Sequence, residues 1–187
     1  AERVKLLFQF SPEGLVTSAV VGIAVVFLLW NEVDRHLLVA WVASVLLVCG
    51  GRYALYLVHQ RRAPPADRAP AWERYFTVGS ALMGLAWAAL PALLFPERST
   101  EYQLVVTFIV AVMAMGAVGT LGPSLPAFAF FVAPMALAMV ARLLLQGGPV
   151  FLGIGVVALF YVALLFRIWK EFHGALTATI RTRFENE

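Results

Sequence analysis

The chain has 187 residues, 61% of them hydrophobic and 13% charged, with a mean hydropathy of +0.84. Soluble globular domains carry about 25% charged residues, so this composition excludes one and places the chain in a membrane. The net charge of +3 and the pI near 9.4 suit an anionic lipid surface, where each cation gains about 1 kcal/mol, and require no nucleic acid.

Charged residues are missing from Gly14 to Asn31, His36 to Gly51, Tyr75 to Pro96, Tyr102 to Ala141 and Leu143 to Phe166, stretches of 18, 16, 22, 40 and 24 residues. A helix crossing the bilayer needs about 20 apolar residues, so the stretch of 40 holds two spans and the others one each. The fold class is therefore all-α, a polytopic bundle of six transmembrane helices. Six spans consume about 120 residues, which leaves no room for a soluble catalytic domain. The organisation expected is a juxtamembrane segment over 1–13, a transmembrane bundle over 14–169 and the start of a cytoplasmic helix over 170–187.

Alternation of six spans puts Arg3, Lys5, Arg52, Arg61, Arg62, Arg68, Arg74, Arg167, Lys170, Arg181 and Arg183 on one side and Arg35, Arg98 and Arg142 on the other. By the positive-inside rule both termini are expected in the cytoplasm. A cleaved signal peptide does not fit, because Glu13 precedes the first apolar stretch and no small-residue cleavage site follows it.

In chain order, Val4, Leu6, Leu7, Phe8 and Phe10 form an apolar lead suited to the interface. Ser11, Pro12 and Glu13 read as a helix start, with a hydroxyl cap, a proline at the first position and an acid near the positive dipole end. Span one runs to Trp30, and Asn31 to Arg35 is a tight turn. Span two, His36 to Val58, holds the one charge inside a predicted span, Arg52, whose long stem is expected to carry the guanidinium to the cytoplasmic headgroups. Cys49, the single cysteine, lies in the same span as a packing residue, without a disulfide or thiolate metal site.

Gln60 to Ala71, with three prolines and four charges, is a polar linker. Span three follows the interfacial aromatics Trp72, Tyr75 and Phe76 and contains Pro91, which frees the carbonyl of Trp87 and predicts a kink. After a loop from Pro96 to Glu101, span four runs from Tyr102 to Leu121 with Gly116 and Gly119, small residues that let a neighbouring backbone approach. The turn Gly122 to Pro126, with Pro123, leads into span five, Ala127 to Leu145, which carries Pro134. Span six covers Val150 to Trp169. Beyond it Phe172, Leu176, Ile180 and Phe184 recur every four residues, the pattern of a helix that leaves the membrane unbroken as a signalling stalk able to pair with a second copy. A tail lying on the membrane is the alternative.

Catalysis within a membrane needs ionisable groups in the spans, and no Asp or Glu lies in any predicted span. His36, His59 and His173 fall at span ends, where a bis-histidine haem at one depth is not built. Met83, Met113, Met115, Met135 and Met139 cluster in spans three to five as adaptable packing residues rather than copper ligands. No nucleotide, hydrolase or zincin motif occurs, so no enzymatic activity and no cofactor or metal is expected. Pro91, Gly116, Gly119, Pro123, Pro126 and Pro134 make spans three to five the deformable part. A small apolar ligand there would meet a pocket lined by Trp87, Met113, Met115 and Tyr161, with tight packing of the same residues as the alternative.

Trp72, Phe76, Gly84 and Trp87, then Phe95-Pro96, Tyr102-Gln103, Gly116-x-x-Gly119 running into Pro123-Ser124-Leu125-Pro126-Ala127-Phe128, and Leu144-Leu145-Gln146-Gly147-Gly148 form a pattern along nearly the whole chain. It resembles the six-span membrane-associated sensor domains that precede bacterial histidine kinases and diguanylate cyclases. The ending Arg181 to Glu187 is similar to the signalling helix that leads into such an output domain. The resemblance implies a sensory, homodimerising module that transmits a change through span six. It implies no catalytic residue, and neither a phosphoacceptor histidine box nor a GGDEF motif is present; His173 lies too near the membrane exit to serve. A small transporter or channel is the competing class, but its marks, an internal repeat with paired broken helices, are missing between spans one to three and four to six.

Overall fold

A computed structural model describes the backbone of residues 2–62 and 68–185 and the side chains of residues 6–61 and 68–175. Its elements are six helices: α1 Glu2–Leu29, α2 Arg35–Arg62, α3 Ala69–Leu93, α4 Thr100–Leu121, α5 Leu125–Gln146 and α6 Gly148–Glu185. Each holds a stretch long and apolar enough to cross a membrane, and helices satisfy their own backbone hydrogen bonds, as hydrocarbon demands. The outward surface agrees: Leu145 is 82% exposed and Phe27 79%. A continuous apolar exterior of this kind belongs against lipid, and the protein is a multi-pass membrane protein.

The helices alternate in direction, so α1–α2, α3–α4 and α5–α6 turn at one end. The opposite end carries the turn between α4 and α5 and most of the basic residues. The turns are built by local chemistry. Asp34 caps α2 by accepting the N–H groups of His36 at 2.9 Å and Leu37 at 3.0 Å, while Arg35 lies 5.4 Å from the ring of Trp30. The α3–α4 loop is fastened to α5 by Arg142, which pairs with Glu97 at 3.2 Å and covers the ring of Phe95 at 5.1 Å. Buried Gln103 donates to the carbonyl of Pro96 at 2.6 Å. Gly147 and Gly148, at φ 74° and 78°, connect α5 to α6 through the left-handed region that disfavours side chains.

Two sequence expectations change here. No helix starts at Ser11: α1 runs unbroken from Glu2 through Pro12. Leu7 and Phe8 are fully buried, Phe8 stacking on His59 of α2 at 4.0 Å and meeting Phe76 of α3 edge-on at 5.4 Å. The apolar lead thus finds partners within the bundle, which keep the first turns helical despite the N–H that Pro12 lacks. The second change concerns close approach. Gly116 and Gly119 have open space where a Cβ would stand. The backbones meet instead at Gly84, where a Cβ would lie 2.5 Å from the carbonyl oxygen of Phe131 and 2.7 Å from that of Phe130.

That contact makes α3 and α5 the most extensively packed pair. α1 and α2 pack together on one side, α2 against α3 and α1 against α4; α4 and α6 flank α5. The core runs between them through Met83, Trp87, Leu90, Phe128, Met135 and Leu143, all essentially inaccessible. α6 is peripheral, touching only α4 and α5 among the described residues, and 11% of its apolar stretch is buried against 44% for α3.

Gly84→Ala should force α3 from α5 and cost about 1–3 kcal/mol, read by thermal unfolding in detergent, whereas Gly116→Ala should leave the midpoint unchanged or raised. A second expectation concerns acid. The N–H of Leu37, then that of His36, hold the Asp34 carboxyl below its ordinary pKa. The cap's contribution is therefore complete above the unfolded value of about 3.9 and is lost as pH falls through the lowered one. Asp34→Asn, which keeps an acceptor, should flatten that acid limb of the unfolding profile.

Candidate functional site

The four residues expected around one apolar pocket do not share one. Trp87 is sealed in the core with its ring edge-on to Trp41 at 5.4 Å, and its indole N–H meets no acceptor among the described residues. Met115 is 47% exposed on the outer face. Tyr161 borders an apolar void of about 50 Å³ between α4, α5 and α6, its hydroxyl donating to the carbonyl of Ala111 at 2.8 Å. Met113 alone reaches the larger cavity, about 170 Å³, lined from α1, α2, α4 and α5. The helical period separates them: Met113 and Met115 lie two residues apart, about 200° around α4, so only one can face inward.

The larger cavity is mostly apolar but gathers a few polar groups that the sequence did not announce. Ser11, Gly14, Thr17 and Ser18 of α1 line it, with Gly116 and Thr120 of α4, Phe131 of α5 and Arg52 of α2. Arg52 packs against α3, its stem beside Gly79 and its guanidinium over Phe76, one turn nearer the basic end. The inward route is open because Gly79 of α3 offers no side chain: a Cβ there would stand 3.0 Å from the Arg52 Cγ. The guanidinium settles 4.9 Å from the centre of the Phe76 ring, a cation–π contact that partly replaces water. Among the described residues no carboxylate pairs with it.

Ser11 and Ser18 are 5% and 4% exposed. They stand seven residues apart, on one face of α1, and neither hydroxyl makes a hydrogen bond to another described residue. Thr17 and Thr120, by contrast, donate to carbonyls one turn back, Glu13 at 2.9 Å and Gly116 at 3.3 Å. Among the described residues the cavity thus presents one cation without a carboxylate partner and two unengaged hydroxyls in a mostly apolar wall. Its side toward lipid is formed by the exposed Thr17, Val112 and Gly116, so it opens between α1 and α4.

One wall of the cavity leads directly to the exit of α6. Thr120 and Leu121 end α4, and Gly122 follows with the Phe172 ring so near that a Cβ would lie 2.6 Å from it. The Gly122 carbonyl is 2.9 Å from Nδ1 of His173. His173 stacks on Trp169 at 4.8 Å, and Trp169 on Phe128 of α5 at 5.8 Å. Pro123 is buried in the same turn and Ser124 caps α5, accepting from the N–H of Ala127 at 3.5 Å while donating to Glu73 of α3 at 2.9 Å. The turn therefore joins α3, α4, α5 and α6.

α6 continues without a break from Gly148 to Glu185, Gly174 included. Of the four residues expected on the stalk face, Phe172 is engaged with Gly122; Leu176, Ile180 and Phe184 have side chains outside the described residues. Pro91 and Pro134 lie inside α3 and α5, while Pro126 sits in the first turn of α5. His59 and His173 belong to separate aromatic clusters, and no three His, Cys, Asp or Glu side chains gather among the described residues. Cys49 is buried with its thiol 3.6 Å from the carbonyl of Leu15.

Neither a protein-family model, nor a curated protein, nor a solved structure matches the chain. Arg52, the two serines and the turn carry the site by their geometry alone. Ser124→Ala removes both the α5 cap and the hydrogen bond to Glu73 and should lower stability by about 1–2 kcal/mol, measured by unfolding in detergent; Ser124→Thr should recover most of it.

Proposed function

We propose that the chain is the membrane-embedded sensory and dimerising module of a bacterial signalling protein, which passes a signal through α6 to a cytoplasmic histidine kinase or diguanylate cyclase. In this reading both termini lie in the cytoplasm, on the side of the basic residues, and the membrane is the bacterial inner membrane. The observation that carries it is the short path from the cavity to the exit of α6. Two residues, Thr120 and Leu121, border the cavity, and the next, Gly122, holds Phe172 and His173.

A change in cavity occupancy that shifts the end of α4 acts on that contact directly. α6 suits the output role because among the described residues it is held only along α4 and α5, and its 38 residues far exceed the roughly 20 that a span needs. Its outer face, with Val157, Leu159, Phe160 and Leu164 exposed, is available to lipid or to the same helix of a second copy. Two packings of the α4–α5 turn separated by a few kcal/mol suffice for a switch.

The test is a fusion of a cyclase or kinase output domain after Glu187. Gly122→Ala, which displaces Phe172, should change basal output by more than about threefold in either direction, the effect of a bias under about 1 kcal/mol between two states. Gly119→Ala should leave output unchanged, because a Cβ there meets nothing. Output indifferent to Gly122→Ala and to replacement of Gly116 or Pro134, with the fusion folded and inserted, would reduce the bundle to a passive anchor.

A further inference from the structure

We infer that the cavity between α1 and α4 binds the carboxylate of a single-chain amphiphile, such as a fatty acid, which enters from the bilayer and is held by Arg52. The inference rests on the reading of that cavity as the input of a sensory bundle only for its biological meaning; the binding stands on the geometry. A guanidinium in an apolar setting without a counter-charge is costly, and Phe76 offers only the face of a ring. The group that relieves this cost most effectively is a planar anion with two oxygens, which an arginine fork matches bidentately. Ser11 or Ser18, which stand about 10 Å apart along α1, then supplies one further donor for a remaining lone pair.

Charge selects among anions. Among the described residues Arg52 is the one cation lining the cavity, so a monoanion is neutralised and a dianionic phosphate is not. Size and access select among carboxylates. A void of about 170 Å³ is comparable to cavities of about 150 Å³ that accept a benzene ring, enough for a head and its first carbons. The remaining chain must leave through the wall, and that wall is open where the ligand would be apolar. Val112 is 50% exposed and Gly116 has empty space in place of a side chain, so a methylene chain passes between α1 and α4 into hydrocarbon. Water-soluble acids lack such a route, whereas an acyl carboxylate partitions to the mouth with its tail already in lipid.

The experiment uses the full chain in lipid nanodiscs with a palmitate analogue carrying a mid-chain diazirine, its fatty-alcohol counterpart and mass-spectrometric mapping of photoadducts. The acid should label peptides containing Thr17, Val112 and Gly116 at least about tenfold more than the alcohol, the discrimination expected of one charge-assisted hydrogen-bonded pair. Arg52→Gln should reduce the acid to the alcohol's level, and Arg52→Lys should retain part of the difference. Gly116→Leu, which fills the mouth and leaves Arg52 in place, should abolish labelling there independently. Circular dichroism and size exclusion verify that each variant is folded.

Equal labelling by acid and alcohol, or acid labelling that survives Arg52→Gln, would overturn the inference. So would displacement of the acid by inorganic phosphate, or by a diacyl phosphatidylglycerol at equal concentration, which would assign the site to a free anion or to a bilayer headgroup. The readout needs no output domain. Absent labelling with a responsive fusion would remove the ligand and leave the sensory reading; labelling with an unresponsive fusion would do the reverse.

Discussion

Gly84 lacks a side chain, and α3 and α5 use that gap to bring backbone against backbone, with the carbonyls of Phe130 and Phe131 where a Cβ would stand. In a bilayer no hydrophobic drive separates helix from lipid, so close packing of small residues supplies the association instead. The other helices take their places around this pair. α1 and α2 pack together beside α3, while α4 and α6 flank α5. Because α2 reaches neither α4 nor α5 among the described residues, a gap remains between α1, α2 and α4, and the cavity occupies it.

Arg52 borders that gap for reasons that belong to neighbouring helices. Gly79 opens the path for its stem, Phe76 offers a ring to the guanidinium, and the α1 hydroxyls of Ser11 and Ser18 face the same void. A charge among apolar helices is expensive unless it meets other polar groups, and the described residues provide only part of what a guanidinium requires. The incompleteness is local, since the surrounding core of Phe8, Trp87 and Phe128 is closely sealed.

The α4–α5 turn concentrates the long-range polar contacts of the basic end. Ser124 ties it to Glu73, Gly122 touches Phe172 and His173, and Phe128 continues into Trp169. A peripheral helix held mainly along two neighbours and gripped at its exit by a turn is suited to small rigid shifts, because packed interfaces tend to hold discrete arrangements rather than deform continuously. The opposite end is built for fixity: Arg142, Glu97, Phe95 and Gln103 fasten the α3–α4 loop to α5.

The sequence by itself determined the number of spans, their order and their approximate limits, because a long apolar stretch without charges has one physical solution in a bilayer and turn residues mark where it ends. It also located Phe95-Pro96, Gln103, the Pro123–Phe128 stretch and Gly147-Gly148, which prove to be turns, caps and loop fastenings. Only the tertiary structure decided which small residues mediate close approach, since that depends on the rotation of each helix about its axis. Gly84 and Gly116 look alike in sequence and differ entirely in surroundings. Rotation likewise separated Met113 from Met115 and sent Arg52 inward, past a glycine twenty-seven residues away in the chain. A helix pattern records which residues are apolar; in a membrane both lipid and protein faces are apolar, so the pattern cannot say which side meets a neighbour, and packing alone does.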